Sequence, residues 1–330
     1  MGITYAGAQF LVDARLGGVT FDRTLTLGRQ NLFASPILLS RLLKRTGLLT
    51  DPSAFRRSIT RWPYRADPFF AALGTRDLHF MDNSSYEGAD RIHDLNEPIP
   101  RDFREQYDLV LDGGTLEHIF NFPNGLKNVM EMVRVGGHAI FLSPTNNFVG
   151  HGFYQLSPEL YLQALSEQNG FRIERLLAIE DDLATDWIFG RFPVAFEAQR
   201  GAYELPVIPL EGRRLEFTTT RPALLFVLAS RQERVPIFST APQQGLYRTL
   251  WESDSEDGEP PVAATGSTSR SLSPRGPGGS LGLGAALHLV FGGVGRMLGP
   301  LRSVALARHY RSRRLKRQKP SVKRSKLIRR

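Results

Sequence analysis

YDLVLDGGTLEHIFNFPNGLKNVMEMVRVGGHAIFLSPTNN, residues Tyr107 to Asn147, sets two apolar runs on either side of one helical pattern. The first run, Leu109–Leu111 (LVL), stops at Asp112, Gly113 and Gly114. Short apolar runs bounded by Gly, Pro and Asp read as buried strands of a parallel sheet. From Gly125 to Val135, Leu126, Val129, Met130 and Val133 recur at the spacing of one helix face. Gly136-Gly137 reads as a turn, and His138–Leu142 (HAIFL) as the second strand, ending at Ser143-Pro144. A strand, a helix and a second strand in this order form a right-handed parallel crossover unit.

The same grammar extends in both directions. Upstream, Arg23–Leu27 (RTLTL) meets Gly28, Leu78–Met81 (LHFM) ends in Asp82, and Arg91–His93 (RIH) ends in Asp94. Leu32 to Leu49 reads as a helix carrying Leu38, Leu39, Leu42 and Leu43 on one face. A second amphipathic stretch, Trp62 to Leu73, occupies the long gap before Asp82. Downstream, Ser157 and Pro158 open a helix that Gly170 stops. Phe171–Ile179 follows as a strand, and Arg213–Thr219 with Ala223–Ser230 read as a closing, antiparallel pair. The expected fold class is α/β: a Rossmann-like, doubly wound, mostly parallel sheet with a closing antiparallel strand, in three α/β/α layers.

Four segments are expected: an N-terminal segment (1–19), the α/β domain (20–250), a Ser/Gly/Pro-rich disordered linker (251–280), and an apolar Gly-rich stretch with a basic tail (281–330). Without cysteine, the chain has no disulfide, thiolate metal site or cysteine nucleophile. The net charge of +9 is a property of the end of the chain. Residues 301–330 hold thirteen Lys and Arg and no acid, which leaves 29 bases against 33 acids in residues 1–300. A mildly acidic body with a basic tail argues against a nucleic-acid-binding fold. The tail has three readings: a solvated disordered extension, an interfacial anchor on an anionic membrane surface, or a non-specific contact to nucleic acid. No secretory signal is expected at the N-terminus, so the expected location is cytoplasmic, with peripheral membrane contact through the tail as the variant reading.

Ligands of open parallel sheets bind where the carboxyl ends of the strands meet the crevice. Here those ends carry Gly28, Asp82, Asp94 and Asp112-Gly113-Gly114. Carboxylates there suit a ligand with ribose hydroxyls and an exocyclic amine. The Tyr107–Asn147 block resembles the second half of the class I S-adenosylmethionine-dependent methyltransferase domain, of the methyltransferase type 11-like kind. An Asp-led fourth strand, Leu116-Glu117-His118 opening a helix, and Val135-Gly136-Gly137 before the fifth strand carry that resemblance. FMDNSSYEGADRIHDLNEPIP (Phe80–Pro100) is similar to the family's second and third strands. The chain departs from the family at the first strand, where LGRQN (Leu27–Asn31) replaces a (D/E)xGxGxG run.

The resemblance implies S-adenosyl-L-methionine as cofactor and a methyl transfer to an oxygen or nitrogen of a small-molecule or glycan/lipid-linked acceptor. It implies that Asp82 holds the ribose and that Asp94 with Leu95 faces the adenine. Asp112, Gly113 and Gly114 would line the methionine side, with Glu117 or His118 closing it. Gly28, Arg29 and Gln30 would stand at the first turn, with Arg29 or Gln30 meeting the methionine carboxylate. The acceptor would approach over Asn146–Tyr161, where His151, with a side chain whose ordinary pKa lies near neutrality, is the candidate base and Tyr154 the second candidate catalytic residue. Methyl transfer needs no base when alignment suffices. The seven histidines show no ligand spacing along the chain, so no metal is expected. A nucleotide-sugar enzyme would need a phosphate-cradling glycine loop, which the first strand lacks. The alternative of another class is a non-catalytic, methyltransferase-like binding or scaffold protein with a degraded cofactor site.

Overall fold

The computed structural model describes residues 2–59, 61, 63–180, 201–208, 215 and 218–247. In chain order the strands and helices are β1 (Gly2–Thr4), α1 (Tyr5–Leu16), β2 (Arg23–Leu27), β3 (Asn31–Phe33), α2 (Pro36–Arg45) and α3 (Pro52–Ser58). There follow β4 (Tyr64–Arg65), α4 (Asp67–Ala72), β5 (Asp77–Asp82), β6 (Arg91–Ile92), β7 (Tyr107–Asp112), α5 (Phe122–Met132) and β8 (Val133–Asn146). The last are α6 (Pro158–Ala164), β9 (Phe171–Glu180), β10 (Gly201–Glu204) and β11 (Ala223–Arg231).

Eight strands form the main sheet in the order β10-β9-β11-β8-β7-β2-β5-β6. From β8 to β6 every pair is parallel, whereas β11 runs antiparallel to both β8 and β9. The period-2 geometry of a strand sends alternate side chains to opposite faces. Val110, Ala139, Phe141, Leu225, Val227 and Leu176 enter one core with α5 and α6. Leu109, Leu111, Ile140, Leu142, Phe226 and Leu177 enter the other with α1 to α4. Both faces of the central strands are therefore dry, which explains why LVL, HAIFL and ALLFVLA are unbroken apolar runs. The three-layer α/β/α architecture read from the sequence is the one present.

Several boundaries differ from the sequence reading. Leu32 does not begin a helix. Asn31–Phe33 is a strand lying between β1 and β4 in a separate three-stranded sheet, and the helix starts at Pro36 with Ser35 capping the Ile37 amide. Ser-Pro is a helix-start signal, and here it overrules the leucine periodicity that precedes it. Gly136-Gly137 is not a turn but part of β8, which leaves α5 directly at Val133. Residues 2–19 pack into the domain: Phe10, Leu11 and Val12 of α1 share a core with Phe226 and Leu228 of β11, and Arg175 of β9 binds Asp13 at 3.1 Å. β11 pairs with β8 and β9, and β10 extends the sheet beyond what the sequence suggested. Most of Arg213–Thr219, Trp62, the linker and the basic tail lie outside the described residues. Among the described residues, no helix is long and apolar enough to cross a membrane.

Candidate active site

The parallel register puts Leu27 beside Met81 on one side and Asp112 on the other, so the ends of β2, β5 and β7 share one edge. At the end of β2 the chain turns through Gly28, whose φ of 65° is the left-handed conformation that glycine tolerates. Its amide donates to the Met81 carbonyl at 2.6 Å. Gln30 then folds back beneath the turn. It is fully buried, and its amide nitrogen donates to the Leu27 carbonyl at 2.7 Å.

Gln30 explains Gly113. A Cβ at position 113 would sit 2.7 Å from Cδ of Gln30, with Oε1 nearer still. The glycine bend after β7 therefore makes room for a side chain from β2. Shifting Gln30 would break its bond to Leu27. We expect Gly113→Ala to cost on the order of 2 kcal/mol through overpacking. In a Gln30→Ala background the same change should cost less by at least ~1 kcal/mol, read from thermal unfolding in a double-mutant cycle. Additive losses would refute the contact. Arg29 is also engaged, since it pairs with Asp67 at 2.5 Å and its guanidinium lies 4.8 Å from the centre of the Phe80 ring.

Asp82 ends β5, half-buried, with Oδ1 accepting the Asn83 amide at 2.7 Å. Asp94 is exposed, and its Oδ1 accepts both nitrogens of Asn96 at 2.9 and 2.8 Å. Those hydrogen bonds hold its carboxyl below the usual carboxylate range, the signature of a turn-capping aspartate. The Leu95 side chain belongs to the core, and its carbonyl accepts the amides of Asn124 and Asn128. The loop after β6 is thus stapled to α5.

The turn after β7 buries two acidic side chains, Asp112 and Glu117. Asp112 is completely buried, with Oδ1 accepting the amides of Thr115 at 2.8 Å and Leu116 at 3.4 Å. Burial, reinforced by the charge of Glu117, pushes its carboxyl up to about 8. Glu117 follows in a short 3-10 turn (Leu116–His118), its side chain only 1% exposed. Among the described residues, no hydrogen-bond donor meets Gln30 Oε1, Asp112 Oδ2 or either carboxylate oxygen of Glu117. Beneath them Tyr161 bonds Ser143 at 2.7 Å. Burial, then Asp112, raises its hydroxyl well above the ordinary tyrosine range.

The loop after β8 closes over this turn. The Glu117 carbonyl accepts the amides of Phe153 at 2.8 Å and Tyr154 at 3.2 Å. Asn147, at a φ of 59°, donates to the carbonyls of Thr219 at 3.0 Å and Arg221 at 2.9 Å, and Gln155 accepts the Phe148 amide at 2.8 Å. The Tyr154 hydroxyl is spent on the Phe120 carbonyl at 2.7 Å, so Tyr154 clamps the loop rather than presenting a free proton. His151 is brought to Glu117, with Nε2 3.4 Å from Oε1, and its ring centre is 5.2 Å from that of His118. Burial lowers the His118 imidazole against the pull of Glu117.

The histidines show no ligand spacing along the chain, yet the fold brings His118 and His151 together. Positions 118 and 151 are far apart along the chain, and only the return of the β8 loop onto the β7 turn makes them neighbours. No sequence signal pointed to that pair or to Gln30 meeting Gly113. The fold gathers Gly28, Gln30, Asp112, Gly113, Gly114, Glu117 and His151 at one edge; it commits Arg29, Asp94, Leu95 and Tyr154 to internal contacts.

No protein-family model matches the chain, and no curated protein matches it. Among solved structures it is similar to a Listeria monocytogenes protein described as a candidate S-adenosylmethionine dependent methyltransferase. That pair shares 15% identity over 69% of this chain and 98% of the other, with a TM-score of 0.38. It is also similar to an S-adenosylmethionine dependent methyltransferase from Mesorhizobium loti, at 17% identity over 68% and 98% with a TM-score of 0.35. For the N-methyltransferase NodS from Bradyrhizobium japonicum the values are 12%, 68%, 93% and 0.33. The strand order, with β11 reversed between β8 and β9, is that of a Rossmann-like, mostly parallel sheet closed by an antiparallel strand.

Proposed function

We propose that the protein is an S-adenosyl-L-methionine-dependent methyltransferase, with the cofactor lying across the ends of β2, β5 and β7. The observation that carries this reading is the pair of buried acceptors without donors on Gln30 and Asp112, beside the ends of β2 and β7. Each such atom costs about 1–3 kcal/mol when left unpaired. The ammonium of S-adenosylmethionine supplies N–H donors for such atoms, and its sulfonium adds a positive charge beside them. Asp82, at the neighbouring strand end, is the carboxylate for the ribose hydroxyls. Arg29, already paired with Asp67, is not assigned to the methionine carboxylate.

The acceptor is an oxygen or nitrogen of a small-molecule or glycan/lipid-linked compound approaching over the β8 loop. The acceptor atom bonds the methyl carbon as the sulfur–methyl bond breaks, S-adenosylhomocysteine leaves, and the acceptor's proton passes to solvent. The electrophile is strong, so alignment of the two reactants supplies most of the acceleration. Tyr154 contributes by fixing the loop, and His151 stands on the acceptor side.

The filled turn at Arg29 and Gln30 favours the competing reading, a binding protein on this fold with no cofactor. Calorimetric titration separates the two. We expect S-adenosylmethionine and S-adenosylhomocysteine to bind more tightly than about 1 mM, or ~4 kcal/mol. 5′-Methylthioadenosine, which lacks the amino-acid end, should bind more weakly than either. Asp82→Ala should weaken binding roughly tenfold or more, the worth of a charged hydrogen bond. Absence of binding by the unaltered chain would leave only the scaffold reading.

A further inference from the structure

We propose that Glu117, His118 and His151 bind a divalent transition-metal ion. One ligand atom from each of these residues lies within 4.8 Å of the other two. Nε2 of His151 and Nε2 of His118 stand 3.4 and 3.8 Å from Oε1 of Glu117. Donors sharing one ion through bonds of roughly 2.1 Å are about 3.0–3.4 Å apart in tetrahedral or octahedral geometry. The cluster reaches that spacing by small rotations of two imidazoles that are 44% and 49% exposed.

A second, independent feature points the same way. The Glu117 carboxylate is 1% exposed, and neither oxygen has a hydrogen-bond partner among the described residues. A buried carboxylate is costly unless a charge compensates it directly. The flanking imidazoles are within ion-pair range of Oε1 but make no hydrogen bond to it, whereas an ion held between them would touch all three. Contacts elsewhere fix the residue: the backbone carbonyl of Glu117 is held by the Phe153 and Tyr154 amides, and Gly152 packs against it. The carboxylate is thus held at a set depth, with a histidine on either side.

Two imidazoles and one carboxylate, with no thiolate, select a borderline ion such as zinc, cobalt, iron(II) or nickel over magnesium or calcium. Three protein donors leave positions open on the side where both histidines meet solvent, unlike a closed structural site. The ion's role rests on the methyltransferase reading. An open position takes the acceptor's oxygen and eases loss of its proton to water. The oxygen then bonds the methyl carbon as the sulfur–methyl bond breaks. The acceptor class narrows to hydroxyl compounds, and the Nε2 lone pair of His151 serves the ion and not a proton.

The test uses the full chain, freed of metal by a chelator and titrated calorimetrically with Zn²⁺ and separately with Co²⁺, with no adenosyl compound present. One ion per chain is expected, with visible d–d absorption for Co²⁺ in a nitrogen/oxygen site. Glu117→Gln and His151→Ala should each weaken binding by roughly 100-fold. His151 is half exposed, so its variant stays folded and keeps the result readable should Glu117→Gln destabilise the turn. No binding tighter than about 1 mM overturns the site. So does tight binding that neither variant weakens, because the ion would then sit on other groups. Cofactor is absent from the cell, so failure of the methyltransferase reading and failure of the metal site are separate outcomes.

Discussion

Replacing Gly152 by alanine is expected to release the β8 loop from the β7 turn and, on the proposed methyltransferase reading, to remove most of the turnover. An added Cβ would lie 2.7 Å from the Glu117 carbonyl oxygen and 3.0 Å from its Cγ. The carbonyl is backbone and cannot rotate aside. It also accepts the amides of Phe153 and Tyr154, so the loop must lift and lose both bonds. Two hydrogen bonds at about 1 kcal/mol each, with about 1 kcal/mol of overpacking left once the loop has lifted, put the local cost at about 3 kcal/mol. Because the contact joins a surface loop to a rigid turn, the damage should be local. Amide hydrogen exchange at Phe153 and Tyr154 should accelerate by about 100-fold, the factor that some 3 kcal/mol implies. Exchange at β7 and β8 should be unchanged. If the Phe153 and Tyr154 amides keep their protection in the variant, the loop is not held by this contact. Any lost turnover would then have a cause other than release of the loop that carries His151.

The second large effect concerns Asp112, whose carboxyl in the folded chain is raised to about 8 from an ordinary 3.8. Between those limits the folded state retains a proton that the unfolded state has released. The contribution to stability is therefore full below about pH 4 and is lost as pH rises towards 8. Asp112→Asn removes the titration while keeping an oxygen for the Thr115 and Leu116 amides. Each pH unit inside the window is worth up to about 1.4 kcal/mol. We expect the variant to gain on the order of 2 kcal/mol over the parent between pH 5 and pH 8, or about 5 °C in melting temperature for a domain of this size. A melting difference that is the same at both pH values would mean that Asp112 is ionised in the folded protein across the range. The set of donorless acceptors would then carry more negative charge than the structure indicates.

Much of the architecture was legible in the sequence because it is written in short-range patterns. Runs such as Leu109–Leu111 and His138–Leu142 are apolar throughout, since a strand buried on both faces has no polar side to show. The acids and glycines that end these runs mark the strand ends, and hence the edge at which a ligand sits. Failures occurred where two signals overlapped. The leucines after Leu32 hid a strand, and Gly136-Gly137 looked like a turn although it lies within β8. The N-terminal segment gave no strong amphipathic pattern, because α1 is buried on most sides between the sheet and its neighbours.

The site divides along the same line. By itself the sequence determined the α/β class, the strand ends at Gly28, Asp82 and Asp112, and the mildly acidic body with its basic tail, because these depend on local periodicity and composition. Only the tertiary structure decided that Gln30 fills the bend at Gly113, that Asp94 caps a turn, that Leu95 is core, and that His118 and His151 meet over Glu117. Those facts depend on which loops return to the same edge of the sheet. Chain closure brings together residues that share no spacing, and no window along the chain contains that information.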